Sequence, residues 1–154
     1  MAKTSDKVLC LENQLCFPLY ACAKEVVRKY RKPLEELNLT YTQYIVMMAL
    51  WQAGDLTEGE IGKCVHLDSG TLAPLLKRLE KQGMITRGRS EKDERKLVIK
   101  LTDEGQALKE KAKKIPAQMK GCLNLTDEEK AQLKKLLDKA MQGIGEEYNI
   151  IIFT

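Results

Sequence analysis

Between Thr57 and Leu101 the hydrophobic period of the chain switches from helical to alternating, and every switch is punctuated by capping or turn residues. Thr57 and Glu60 have the spacing of a capping box, in which a hydroxyl and a carboxylate satisfy the free amide groups of a helix start. A short helix is expected from there to about Cys64, with Val65, His66 and Leu67 as a tight connector. Asp68 caps the next helix. Its Leu72, Leu75, Leu76 and Leu79 recur at helical spacing, and Gly83 supplies the stop. Met84 to Arg89 then alternates as a strand, Ser90 to Lys96 is a charged turn, and Leu97 to Leu101 is a β-branched return strand. Two helices joined by a short turn and followed by a hairpin describe a helix-turn-helix with a wing, whose second helix enters the DNA major groove N-terminus first.

The flanking segments frame this unit. Leu11, Leu15, Leu19, Val26 and Tyr30 predict an amphipathic helix over about Leu15 to Tyr30. Pro18 lacks an N–H and belongs in a first turn, which puts Cys16 at or beside the helix N-terminus. Lys32 and Pro33 are expected to break or bend this helix, leaving Leu34 to Leu39 as a short helical turn or connector. Thr40 and Gln43 form another capping box. The helix after it, Thr42 to Gln52, is apolar nearly all round and so is the central, buried one. Beyond the wing, a helix starts at Thr102 to Gly105 and runs through Leu108, Ala112 and Ile115, and Pro116 bends it or begins its next section. After a break at Gly121 to Thr126, a third box, Thr126 with Glu129, opens a last helix carrying Leu133, Leu136, Leu137 and Met141. The apolar tail from Ile150 to Thr154 either packs on a dimer or is loose. The fold class is mainly α with a small β-hairpin.

A chain of 154 residues fits one domain with a core of its own. No apolar stretch follows Met1–Asp6 as in a secretory signal, and none reaches the length of a membrane span, so a cytoplasmic protein with no membrane partner is expected. Five cysteines, an odd number without a CxxC pair, are expected to be thiols. His66, the single histidine, has only Cys64 nearby, which excludes the usual zinc spacings. No cofactor is called for. The net charge of +4 permits nucleic acid without demanding it, so its distribution decides.

That distribution favours the helix-turn-helix and its wing. Ser69, Thr71 and Pro74, early in the second helix, are small enough to reach base edges and phosphates, and Lys77 and Arg78 follow for the backbone. The hairpin sets Arg87, Arg89, Lys92, Arg95, Lys96 and Lys100 against Glu91, Asp93 and Glu94. A basic hairpin tip suits a minor groove, whose negative potential attracts arginine. Asp93 is read as orienting Arg95 and not as touching DNA.

The run from Asp68 through Leu72 and Lys77 to Gly83, then Ile85 to Arg87, Arg89 to Arg95 and Leu101 to Gly105, resembles the winged helix of the MarR family. The stretch from Leu11 to Ala21, with Cys16 between Leu15 and Phe17, resembles the organic-hydroperoxide-sensing OhrR branch. The resemblance covers roughly Leu11 to Met141. It implies a homodimeric bacterial repressor and not an enzyme. Residues 9–39 and 106–154 would supply the dimerisation helices and residues 40–105 the winged helix-turn-helix. The repressor would release a palindromic double-stranded operator when organic hydroperoxide oxidises Cys16.

The chemistry at Cys16 can also be argued from the residue itself. A cysteine reacts as its thiolate, which a helix N-terminus favours, and attack on a peroxide yields a sulfenic acid that a second thiol closes to a disulfide. Tyrosine hydroxyls can donate to such a thiolate. Tyr20 shares a helix face with Cys16. Tyr30 lies about 21 Å further along a straight helix, too far to touch within one chain, but an antiparallel copy can deliver it, and Tyr41 can arrive by the same route. The resemblance implies that Tyr30 and Tyr41 contact the sensor across the dimer, with Tyr20 nearby. It also implies either a mixed disulfide with a low-molecular-weight thiol or a resolving cysteine in the C-terminal part of the other subunit, where Cys122 falls. Cys10 and Cys22 remain substitutes, although small buried hydrophobes are the default for these two and for Cys64. Two other readings stay in view: a MarR-type repressor released by a small aromatic ligand with Cys16 incidental, and a thiol peroxidase. No acid/base histidine accompanies Cys16 to support the second.

Overall fold

A computed structural model of the chain describes residues 4–144; the apolar tail at Ile150–Thr154 lies outside them. Two short 3-10 turns, Thr4–Leu9 and Leu11–Asn13, precede α1 (Cys16–Glu35), α2 (Tyr41–Ala53), β1 (Leu56–Thr57), α3 (Glu58–Val65) and α4 (Ser69–Lys81). The wing strands β2 (Ile85–Arg89) and β3 (Leu97–Leu101) follow, then α5 (Asp103–Ala112), α6 (Ile115–Gln118) and α7 (Asp127–Ile144). None of the described helices is long and apolar enough to cross a membrane.

The caps set the helix starts. Thr40 Oγ1 accepts from the Gln43 N–H at 3.3 Å while Gln43 Oε1 accepts from the Thr40 N–H at 2.9 Å. Thr57 with Glu60, and Thr126 with Glu129, repeat the arrangement. Asp68 Oδ1 accepts from the Thr71 N–H at 2.8 Å to start α4. Each such cap contributes about 1 kcal/mol. At the other end of α4, Gly83 adopts φ +76°, Met84 N–H reaches the Leu79 carbonyl at 3.0 Å and Gly83 N–H that of Glu80 at 2.9 Å. That pair of bonds is a Schellman stop, which turns the chain directly into β2.

The core lies between α2 and the rest of the winged unit. Val46, Met47 and Leu50 of α2 pack with Leu34, Ile61, Leu72, Leu76, Leu79, Ile85, Ile99 and Ile115, all essentially closed to water. Each such side chain stabilises by about 1.5–3 kcal/mol through burial.

Two expectations need correction. Pro33 does not end α1, which runs on to Glu35. Pro33 sits in the last turn, so it forfeits only a bond to the carbonyl of exposed Lys29, and fully buried Leu34 holds the turn in place. The wing is also more than a hairpin. Leu56 and Thr57 pair antiparallel with Ile99 and Val98, giving a three-stranded sheet in the order β1-β3-β2. A two-residue strand is too short to show a period, and buried Leu56 is what anchors it. As for Pro116, it opens α6 as a separate turn.

The neck of the wing is tightly fastened. Thr102 Oγ1 donates to the Gly83 carbonyl at 2.5 Å and accepts from the Gly105 N–H at 3.0 Å, and Thr102 N–H donates to the Met84 carbonyl at 3.1 Å. Gly105 lies so close that a Cβ there would overlap the Met84 carbonyl oxygen. Its own carbonyl accepts from Trp51 Nε1 at 2.9 Å, which ties α5 to α2.

Candidate nucleic-acid interface and redox site

On α4 the helical period separates two faces. Leu72, Leu75, Leu76 and Leu79 point into the core, which leaves Ser69, Thr71, Pro74, Lys77 and Arg78 exposed on the opposite side. Helix α3 packs against α4 through a turn in which His66 is left-handed at φ 53° and Leu67 N–H donates to the Gly62 carbonyl at 3.1 Å. Gly62 permits that closeness, since a Cβ would stand 2.9 Å from the Leu67 carbonyl oxygen. The result is a helix-turn-helix whose second member presents its first turn outward.

The wing residues divide more sharply than the sequence suggests. Arg89, Lys92, Arg95 and Lys96 are exposed, and Arg89 donates to the Glu94 carbonyl at 2.8 Å across the hairpin tip. Arg87 is instead turned back onto α4. Its Nε and Nη2 donate to Glu80 Oε2 at 2.9 and 2.7 Å, and the Arg87 hydrogen bond holds the Glu80 carboxyl below the usual carboxylate range. Lys100 pairs with Asp55 at 3.1 Å. Asp93 Oδ1 accepts from the backbone N–H of Arg95 at 3.1 Å, so it meets Arg95 through the main chain of the turn.

The redox candidates fall into two groups at opposite ends of α1. Cys16 is the first residue of the helix and exposed, Pro18 lies in the first turn, and Tyr20 is 63% exposed with Lys24 Nζ 6.0 Å from its ring centroid. At the far end, the Tyr30 and Tyr41 rings meet at 4.9 Å between centroids, tilted by 52°, and Tyr44 lies 6.0 Å from Tyr30. Cys122 is half-buried and, like Tyr30 and Tyr41, packs against the edge of the core. Burial pushes the hydroxyl pKa of Tyr30 up, with Tyr41, Tyr44 and Cys122 adding to it. Burial likewise raises Tyr41 and Tyr44. All three therefore hold their protons at neutral pH and are hydrogen-bond donors.

One chain thus gathers Tyr30, Tyr41 and Cys122 and leaves its own Cys16 with Tyr20 elsewhere. Tyr44, legible in the sequence only as core, joins the cluster, and its spacing three residues after Tyr41 is the signal that points to it. Of the other cysteines, Cys10 and Cys64 are partly buried, and burial followed by Glu60 pushes the Cys64 thiol pKa up. Cys22 is exposed on α1, contrary to the buried default, because the outer half of that helix buries no side chain among the described residues.

Residues 28–112 match the family model of the SarA/Rot transcriptional regulators. The organic hydroperoxide resistance transcriptional regulator of Bacillus subtilis (strain 168) is 50% identical over 127 residues, spanning 82% of this chain and 86% of that protein. Among solved structures, overoxidised AbfR bound to DNA superposes with a TM-score of 0.72 at 35% identity, over 92% of this chain and 100% of that one. AbfR has also been solved reduced on DNA and in a disulfide form. A mutant MarR from E. coli in complex with operator DNA superposes with a TM-score of 0.76 at 25% identity, over 90% and 99% of the two chains.

Proposed function

The chain belongs to the MarR family of winged-helix transcriptional regulators, in its organic-hydroperoxide branch, and on that premise we propose that it is a homodimeric repressor that releases its operator when Cys16 is oxidised. The observation that carries this is the separation of the redox groups. Tyr30 and Tyr41 meet ring to ring, with Cys122 packed against the same core, while Cys16 starts the same helix fourteen residues earlier, about 21 Å away at the helical rise. Each chain then holds half a site, and a two-fold axis that runs α1 antiparallel to its copy brings each Cys16 to the other subunit's tyrosines. Residues 9–39 and 106–154 supply the contact between copies and residues 40–105 the DNA-binding unit.

In the reduced dimer the first turn of α4 enters the major groove, with Ser69, Thr71 and Pro74 leading and Lys77 and Arg78 on the phosphates. The exposed wing tip, with Arg89, Arg95 and Lys96, reaches the minor groove. Arg87 acts there indirectly, by clamping β2 to α4 through Glu80. At the sensor, Tyr30 and Tyr41 hydroxyls, with Tyr20 beside them, donate to the Cys16 thiolate. The thiolate sulfur attacks the outer peroxide oxygen, the O–O bond breaks with the OH passing to sulfur, and the alkoxide leaves and takes a proton from water, so that cysteine becomes sulfenic acid and ROOH becomes ROH. Attack by a second thiol, Cys122 of the other chain or a small thiol, forms S–S and expels water. AbfR, solved reduced, overoxidised and with a disulfide, occupies the same ladder of states.

The test is fluorescence anisotropy with a duplex selected from a random library by the reduced protein. Cumene hydroperoxide is expected to weaken binding by about a hundredfold, within the range of allosteric couplings. Cys16→Ser stays bound, and peroxide-driven release by that variant would sink the sensing claim. Intact mass without reductant then separates a cross-linked dimer through Cys122 from a monomer carrying one small thiol.

A further inference from the structure

The joint between α1 and α2, residues 36–40, is where the tyrosine cluster meets the recognition helix. Asn38 is left-handed there at φ 52°, and the chain reverses so that Leu39 N–H reaches back to the Leu34 carbonyl at 3.2 Å. Two glutamine side chains hold this reversal. Gln43 is 5% exposed and is the one buried polar residue among those described. Its Oε1 accepts from Thr40 N–H at 2.9 Å, as any capping-box residue would. Its Nε2 does something a cap does not need: it donates to Gln82 Oε1 at 3.3 Å. Gln82 is the C-cap of α4, and its own Nε2 donates to the Asn38 carbonyl at 3.0 Å. A ring of hydrogen bonds therefore runs from Asn38 through Thr40 and Gln43 to Gln82 and back.

The chemistry of that ring is specific. Both members must be amides, because each accepts with its oxygen and donates with its nitrogen. Glutamate serves as the capping partner at Thr57 and Thr126, but at position 43 its second oxygen would face the Gln82 oxygen with no proton between them. The ring also has an address at each end. Tyr41, whose ring meets that of Tyr30 at a tilt, follows the Thr40 cap directly as the first residue of α2. Gln82 leads into the Schellman stop at Gly83, where α4 hands over to the wing.

We propose that Gln43 and Gln82 are positioning residues through which a displacement of Tyr41 reaches the recognition helix. This rests on the reading of Tyr41 as a residue that faces the sensor sulfur. When Tyr41 moves with the oxidised sulfur, the Thr40 cap moves with it, and the amide ring pulls on the last turn of α4. Rupture of the ring uncouples the two ends.

Gln82→Met and Gln43→Met keep the bulk of each side chain and delete its amide. The ratio of oxidised to reduced dissociation constants on the selected duplex is the quantity to compare. A mere brace would weaken both forms alike and leave the ratio at its wild-type value, whereas the relay predicts that it falls by about tenfold in Gln82→Met, which retains DNA when oxidised. An unchanged ratio overturns the proposal. Gln43→Met also removes a helix cap, so Gln82→Met decides if that variant misfolds. A wild-type protein that peroxide does not release sinks the sensing reading instead. The relay is then decided without oxidant by a double-mutant cycle of Tyr41→Ala with Gln82→Met on reduced-state affinity. A departure from additivity of about threefold or more supports it, and additive effects overturn it.

Discussion

From Leu34 to Met119 the large side chains that point inward are closed to water, whereas α7 buries none and α1 buries only Leu34 near its end. Both kinds of region are amphipathic at helical spacing. The difference is that the winged unit supplies its own second face and the two outer helices do not. Leu15 at the N-cap of α1, Phe17, Leu19 and Val27 on α1, and Leu136, Leu137 and Ile144 on α7, stand exposed in the single chain. An apolar face of this extent on a regulator marks a surface that something covers. The lesson is that the winged unit is held by its own contacts, whereas the outer helices leave an apolar face that their own chain does not cover.

Truncation inside the winged unit tests this contrast with the largest effect. Leu50→Ala should cost about 3–4 kcal/mol, because fully buried Leu50 sits among side chains that cannot collapse onto the space left. Urea denaturation should show that loss in full at every protein concentration. A cost under about 1 kcal/mol would mean that the core is not where the burial places it.

The outer helices should respond in the opposite way. Leu136→Glu combined with Leu19→Glu should weaken dimerisation by about 2–3 kcal/mol, leaving helicity of the winged unit intact. Sedimentation velocity over a concentration series would show monomer replacing dimer. If the variant sediments as the wild type does, these faces are not the contact between copies.

The smallest effect sharpens the boundary where the regions meet. Burial raises the hydroxyl pKa of Tyr30, Tyr41 and Tyr44 in the folded protein. The unfolded chain then ionises first, near pH 10. Stability from these groups is complete below that pH and is lost as pH rises through the elevated folded values. Tyrosinate absorbance at 295 nm should therefore rise in two stages, the later one disappearing in urea. A single step near pH 10 in native protein would contradict the cluster's burial.

Local features of the fold were legible in the sequence, and long-range ones were not. The boxes at Thr40, Thr57 and Thr126 and the cap at Asp68 could be read because a cap is a contact between residues three apart. The leucines of α4 and the alternation of the wing were legible for the same reason. Pro33 misled because a proline penalty is fixed by where the helix ends, and the burial of Leu34 decided that end. Strand β1 was hidden by its length. At the candidate site, the expectation of a site shared by two chains followed from the distance between Cys16 and Tyr30. The Gln43–Gln82 pair joins residues 39 apart in the chain, and the Arg87–Glu80 clamp crosses from a helix to a strand through a turn, so no spacing rule within one element reaches either.

The neck at Thr102 carries a consequence for how such a protein can change over evolution or in the laboratory. One hydroxyl and one glycine fasten residues 83–84 to residues 102–105, so the hairpin between them begins and ends at a point the core has already fixed. The tip from Ser90 to Lys96, exposed but for half-buried Ser90 and Asp93, is therefore a replaceable part. Its length and its cations can be exchanged to suit a different DNA without renegotiating the helices beneath, provided Gly83, Thr102 and Gly105 stay as they are.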